Sequence, residues 1–152
     1  MSEQEISALL HGQNKLQLGT INPDGTPHLV TMFYAMVDAE KLDDFEGTGP
    51  RIAFWTYGKS QKAKNIDRDP RVTCLVEAGV DYFELHGALI YGTITVLTEP
   101  NVVRYVGTEV VRRMMNLDDD EALRPFVEAT AAKRWAYIVE PGKSASWDHR
   151  KM

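Results

Sequence analysis

Residues 51–76, RIAFWTYGKSQKAKNIDRDPRVTCLV, constrain the chain more than any other stretch. Ile52, Phe54, Trp55, Thr56 and Tyr57 are β-branched and aromatic types that suit a pleated surface, so this run predicts a strand that Gly58 ends. From Ser60 to about Arg68 the pattern predicts a helix of about two turns, with Ser60 as N-cap. Asp69-Pro70 closes it, because a residue that precedes proline is excluded from the α region. A second strand follows through Val72, Cys74 and Val76. Strand, glycine, short capped helix, strand is therefore the local architecture.

The charges of that helix run against its dipole. Lys59, Lys62 and Lys64 lie at the positive amino end and Asp67 and Asp69 at the negative carboxyl end, each misplacement forfeiting about 0.3–1 kcal/mol. An anion at the helix start would offset this, since free backbone N–H groups, the Ser60 hydroxyl and the ammonium groups converge there. A solvated lysine face on a surface helix is the competing account, and the residues alone leave the two open.

The segment FWTYGKSQKAKNIDRDPRV resembles the phosphate-binding stretch of the flavin- and deazaflavin-binding split β-barrels, the superfamily of pyridoxamine 5′-phosphate oxidase. The shared pattern is a strand ending in an aromatic residue and Thr, Ser-x-Lys at a helix start, Asn-Ile, and x-Pro-Arg-Val. GTINPDGTPHLVTMFY before it and HGALIYGTITVL after it extend the likeness over most of the chain. The resemblance implies an α+β, mainly β fold, a split barrel of six to seven antiparallel strands with Greek-key-like order and peripheral helices. It is similar above all to the branch that uses FMN or the deazaflavin F420.

The rest of the sequence agrees with one domain over residues 1–152. A chain of 152 residues buries roughly 68–70% of its unfolded surface, enough for a core. The net charge of −5 argues against a sequence-independent nucleic-acid binder, which needs a basic surface. No apolar run approaches the ~20 residues of a membrane span, and the acidic start MSEQE lacks a signal-peptide pattern, so a cytoplasmic setting is expected. Cys74, the single cysteine, reads as a small buried hydrophobe in VTCLV.

Ser2 and Glu5 have capping-box spacing and start a first helix that ends near Gly12. Leu16, Leu18 and Thr20 alternate as a strand, 22–25 turns, and 26–37 returns as one strand. Residues 38–50 form a polar connection. Residues 81–97 read as a long strand that Gly87 and Gly92 bend. Glu99-Pro100 opens a helix with a stripe of Val102, Val103, Val106, Val110 and Met114. Residues 118–121 start a further helix that Pro125 must bend or restart, and 133–140 alternate as the last strand. Glu84 and His86 share a face, but two groups are too few for a metal site, and none is expected. The tail PGKSASWDHRKM, with Trp147 beside Asp148, His149 and Arg150, is expected to dock on the protein.

What the resemblance implies for the site follows residue by residue. The backbone of Thr31, Met32 and Phe33 passes along the coenzyme ring, although Val30-Thr31 stand where oxidase members carry an arginine. Trp55, Thr56 and Tyr57 flank the ribityl chain, with Tyr57 as proton donor. Lys59, Ser60, Lys62 and Lys64 face the phosphate. Trp147, His149 and Arg150 of one subunit approach the coenzyme of the other, making a homodimer. The implied activity is hydride transfer between F420, ahead of FMN, and a small organic substrate. F420 leads because its polyglutamate tail rewards several lysines. The alternatives are F420 or FMN binding without turnover, and haem binding with His28, His86 or His149 as axial ligand.

Overall fold

The sheet closes on itself through two strands that are neighbours in sequence. The computed structural model describes residues 1–152, with α1 at Glu3–Gly12, β1 at Lys15–Ile21, β2 at Pro27–Phe33, β3 at Ala35–Asp38 and β4 at Pro50–Tyr57. Then come α2 at Gln61–Arg68, β5 at Arg71–Ala78, β6 at His86–Leu97, α3 at Pro100–Met115, α4 at Asp120–Ala131 and β7 at Arg134–Asp148. The seven strands are antiparallel and ordered β2-β1-β5-β6-β7-β4-β3. Its two edges, β2 and β3, are separated in the chain by Tyr34 alone, so the sheet must curl until they adjoin. This is the split β-barrel with peripheral helices.

The expected single strand over 26–37 is thus two strands at opposite edges. Tyr34 makes the break because its side chain leaves the sheet for the interior. It is fully buried, its hydroxyl donates to the Leu10 carbonyl at 2.6 Å, and its N–H donates to the Asn14 carbonyl at 3.1 Å.

Two cores flank β4, as its period-2 pattern dictates. Ile52 and Phe54 face the barrel interior with Leu16, Leu18, Cys74, Tyr137 and Val139. Ala53 and Trp55 face outward under α3 and α4, with Val103, Val106, Val110 and Leu123. Trp55 lies so close to α3 that a Cβ on Gly107 would stand 2.5 Å from its ring, so only glycine lets helix and strand approach. No helix is long and apolar enough to cross a membrane.

Local signals place the helices as expected. Ser2 and Glu5 form their reciprocal capping box, and the Ser60 hydroxyl accepts the Ala63 N–H at 3.3 Å. Glu99 caps α3 and Asp119 caps α4, which runs through Pro125 without dividing.

Two strand boundaries differ from the sequence reading. Residues 82–84 are a 3-10 turn rather than the start of β6, tied by a capping box between Asp81 and Glu84. Gly79 (φ +100°) enters that turn, where a Cβ would meet the Glu84 carbonyl oxygen at 2.5 Å. β7 continues past Glu140 to Asp148, because β6 offers it a partner as far as His86, with Pro141 opposite Gly92 and a bulge that sets Gly142 and Lys143 against Tyr91. The tail therefore docks as a strand.

Candidate functional site

The break at Tyr34 brings the end of β2 against the end of β4, the first residue of β7, the start of α2 and the last turns of α3. Together they enclose a cleft of 310 Å³. Thr31, Met32 and Phe33 line it from β2, Trp55, Thr56 and Tyr57 from β4, and Lys62 from α2. All of these were expected at a coenzyme site. The cleft also takes Val110 and Met114 from α3 and Arg134 from β7.

Ala63 and Ile66 pack α2 on the barrel core, and one buried polar residue fixes its register. Asn65 is fully buried, and its amide donates to Thr20 Oγ1 and to Asn22 Oδ1, each at 3.0 Å. Its Oδ1 accepts from Gln61 Nε2 at 2.9 Å and from Arg68 at 3.3 Å. Lys62 lies one turn earlier. The first intrahelical bond, from Lys64 N–H to the Ser60 carbonyl, leaves the N–H groups of Gln61 and Lys62 ahead of it as free donors.

The cleft is cationic without a counter-charge. No ion pair of the chain includes Lys62 or Arg134. Burial, reinforced by the Arg134 charge, holds the Lys62 amine below its ordinary value. The Arg134 guanidinium carbon stands 4.6 Å from the ring centroids of both Trp55 and Tyr57, and its Nε is buried with no acceptor. An apolar wall, two aromatic rings and two unpaired cations suit an anion carried on a planar, largely apolar body.

The other expected residues lie outside this cleft. Lys59 lines an adjoining hollow of 590 Å³ with Tyr57, Gly58, Lys133 and Trp135. Ser60 spends its hydroxyl on the helix cap, and Lys64 is exposed on α2. Trp147 lies at the opposite end of β7 from Arg134, and His149 and Arg150 follow that end. Trp147 packs on Gly87, where a Cβ would meet its ring at 2.4 Å. His149 Nδ1 donates to the Tyr82 carbonyl at 2.9 Å, and Arg150 pairs with Asp148 at 2.8 Å.

Arg134, Val110 and Met114 were not anticipated. Arg134 becomes visible only through the register that sets it opposite Tyr57. A further hollow, 440 Å³ beside the β1–β2 hairpin, has Arg71 as its charged lining residue, already paired with Asp69 at 2.7 Å.

Comparison with known proteins agrees with this fold. The family model of pyridoxamine 5′-phosphate oxidase matches residues 2–139. The conserved hypothetical protein Rv2991 from Mycobacterium tuberculosis is 37% identical and superposes with a TM-score of 0.84, over 99% of this chain and 87% of its own. An F420 reductase shares the fold at 21% identity and a TM-score of 0.66, over 91% of this chain and 94% of its own. HutZ, the haem storage protein of Vibrio cholerae, does so at 12% and 0.63, over 96% and 93%. Comparison with curated proteins yields no match. With a family model covering nearly the whole barrel and a relative above a third identical along the full chain, this protein belongs to the pyridoxamine 5′-phosphate oxidase family.

Proposed function

We propose that this chain is an oxidoreductase that holds F420, or failing that FMN, in the cleft between β2, β4 and α2 and passes a hydride between it and a small organic substrate. The observation that carries this reading is the pair of unneutralised cations, Lys62 and Arg134, beside an apolar wall. When bound, the deazaflavin or flavin supplies the hydride chemistry. The chain's own residues then need only hold, orient and shield. Lys62 and the free N–H groups of α2 take the phosphate, while Trp55, Thr56 and Tyr57 border the ribityl chain. The backbone of Thr31, Met32 and Phe33 meets the ring, and the Tyr57 hydroxyl is the proton donor.

F420 is favoured over FMN by the adjoining hollow. Tyr57 lines both spaces, and beyond it Lys59 and Lys133 provide a second cationic patch. A coenzyme whose phosphate is followed by several carboxylates would use both, whereas FMN would use one.

The active unit in this reading is a homodimer. The outer face of β2-β1-β5-β6 carries Leu29, 71% exposed, with Phe33 and Tyr91 also exposed, while α3 and α4 cover only the β3-β4-β7 side. A second copy on that face would cover apolar surface and bring Trp147, His149 and Arg150 to the partner's cleft. Haem binding is less well supported, since no histidine lines the cleft.

Lys62→Glu tests the site. A carboxylate there meets Arg134 and should leave the fold intact. Loss of the anion contact should weaken F420 and FMN binding by about 30- to 150-fold, the equivalent of about 2–3 kcal/mol. Unchanged affinity in equilibrium dialysis refutes the assignment. Binding without turnover is separated by anaerobic mixing of the reduced coenzyme with a quinone or an enone, which only an enzyme accelerates.

A further inference from the structure

Arg134 is a charged group of the cleft that lies outside the strand-glycine-helix motif. It pairs with Tyr57 across β4 and β7, and Trp55 lies one pleat further along the same face. The guanidinium stands 4.6 Å from each ring centroid, so the two aromatic side chains hold the fork with no hydrogen bond to fix it. Its Nε is buried and unpartnered, and no carboxylate of the chain neutralises it. A buried donor left unpaired in this way is costly, and an acceptor brought by a ligand would relieve it. Lys62, the other cation of the cleft, is a compact point charge, whereas a guanidinium presents parallel donors that match two oxygens of one phosphate.

We propose, resting on the coenzyme reading of this cleft, that Arg134 is its specificity residue for the phosphate. The fork and the Lys62 ammonium share one phosphate group, and by this means the cleft distinguishes a phosphorylated coenzyme from the same ring system without phosphate. Lys62 supplies attraction to any anion. Arg134, held against two rings, supplies the shape.

Fluorescence titrations with two ligand pairs test this, FMN against riboflavin and F420 against its phosphate-free deazaflavin, on wild type, R134K and R134Q. Wild type should prefer the phosphorylated member of at least one pair. R134Q should lower affinity for that member by about 10- to 100-fold and leave the phosphate-free member within about twofold. R134K should recover only part of the loss, because an ammonium lacks the fork. Inorganic phosphate should compete with the phosphorylated ligand in wild type and far less in R134Q. Equal weakening of both members, or of neither, overturns the role of Arg134 while leaving the coenzyme site standing. Failure of wild type to bind either phosphorylated ligand overturns the coenzyme reading itself, and this inference with it. Thermal melts of R134K and R134Q distinguish a folding defect, which would lower both affinities together, from a lost contact.

Discussion

Replacing Asn65 with alanine tests whether a single buried amide holds the candidate site together. Asn65 makes four side-chain hydrogen bonds, to Thr20, Asn22, Gln61 and Arg68. The partners differ in what they recover. Gln61 and Arg68 are exposed and Asn22 is half-exposed, so all three can turn to water, at a net loss of about 0.5 kcal/mol each. Thr20 is buried, and its hydroxyl would lose its partner where water does not reach, at about 1–3 kcal/mol. The sum is about 2.5–4.5 kcal/mol, a large part of the stability of an ordinary domain. With a urea m-value of about 2 kcal/mol/M, the unfolding midpoint should fall by about 1–2 M. Lys62 stands one turn before Asn65, so coenzyme affinity should fall as well, although Asn65 does not line the cleft. A midpoint shift below about 0.5 M, or below about 1 kcal/mol, would refute the claim that this side chain docks α2.

Gly107→Ala places a methyl 2.5 Å from the Trp55 ring. Overpacking of about 1–3 kcal/mol should outweigh the helix-propensity gain of about 1 kcal/mol and lower the melting temperature by a few degrees. Three carboxylates with cationic partners set the acid limit. A hydrogen bond from Lys151 holds Glu5 at about 2, one from Arg71 holds Asp69 at about 2, and one from Arg150 holds Asp148 lower still. Their folded pKa values are depressed, so their contribution is complete above about pH 5 and is lost as pH falls toward 2. Melting temperatures taken from pH 7 to 2 should drop in that window and less steeply at high salt. Coenzyme binding should fail at the alkaline end. Burial and then Arg134 lower the Lys62 pKa, so affinity should decline at a pH below the ordinary lysine value of about 10.4, and Lys62→Gln should abolish that limb of the profile.

Residues whose structure is decided by near neighbours were legible in the sequence. Ser60 capping α2, the Ser2 and Glu5 box and the Asp69-Pro70 stop each need only contacts within a turn. The alternation of Leu16, Leu18 and Thr20 likewise follows from a period that any half-buried strand imposes. What escaped depends on pairing across the sheet. Nothing local marks Tyr34 as a corner, since it continues a β-prone run, and its role comes from the Leu10 carbonyl at the end of α1. Nothing local extends β7 through Pro141 either, because that extension exists only where β6 lies alongside. Arg134 reads as the polar flank of a strand until the register sets it against Tyr57.

The same distinction explains why the cleft lies where it does. The sequence motif supplies an anion-attracting helix start, but a helix start on an open sheet edge would face water and hold little. Closure of the barrel at Tyr34 places the end of β2 beside the end of β4, and β7 then delivers Arg134 opposite Tyr57. α3, drawn close by Gly107 against Trp55, walls the remaining side with Val110 and Met114. Trp55 thus touches both the outer core and the cleft, packing on α3 while its ring supports the guanidinium. A perturbation of the α3 packing should therefore reach the ligand through Trp55 and Arg134, even when Lys62 and the motif around it are untouched.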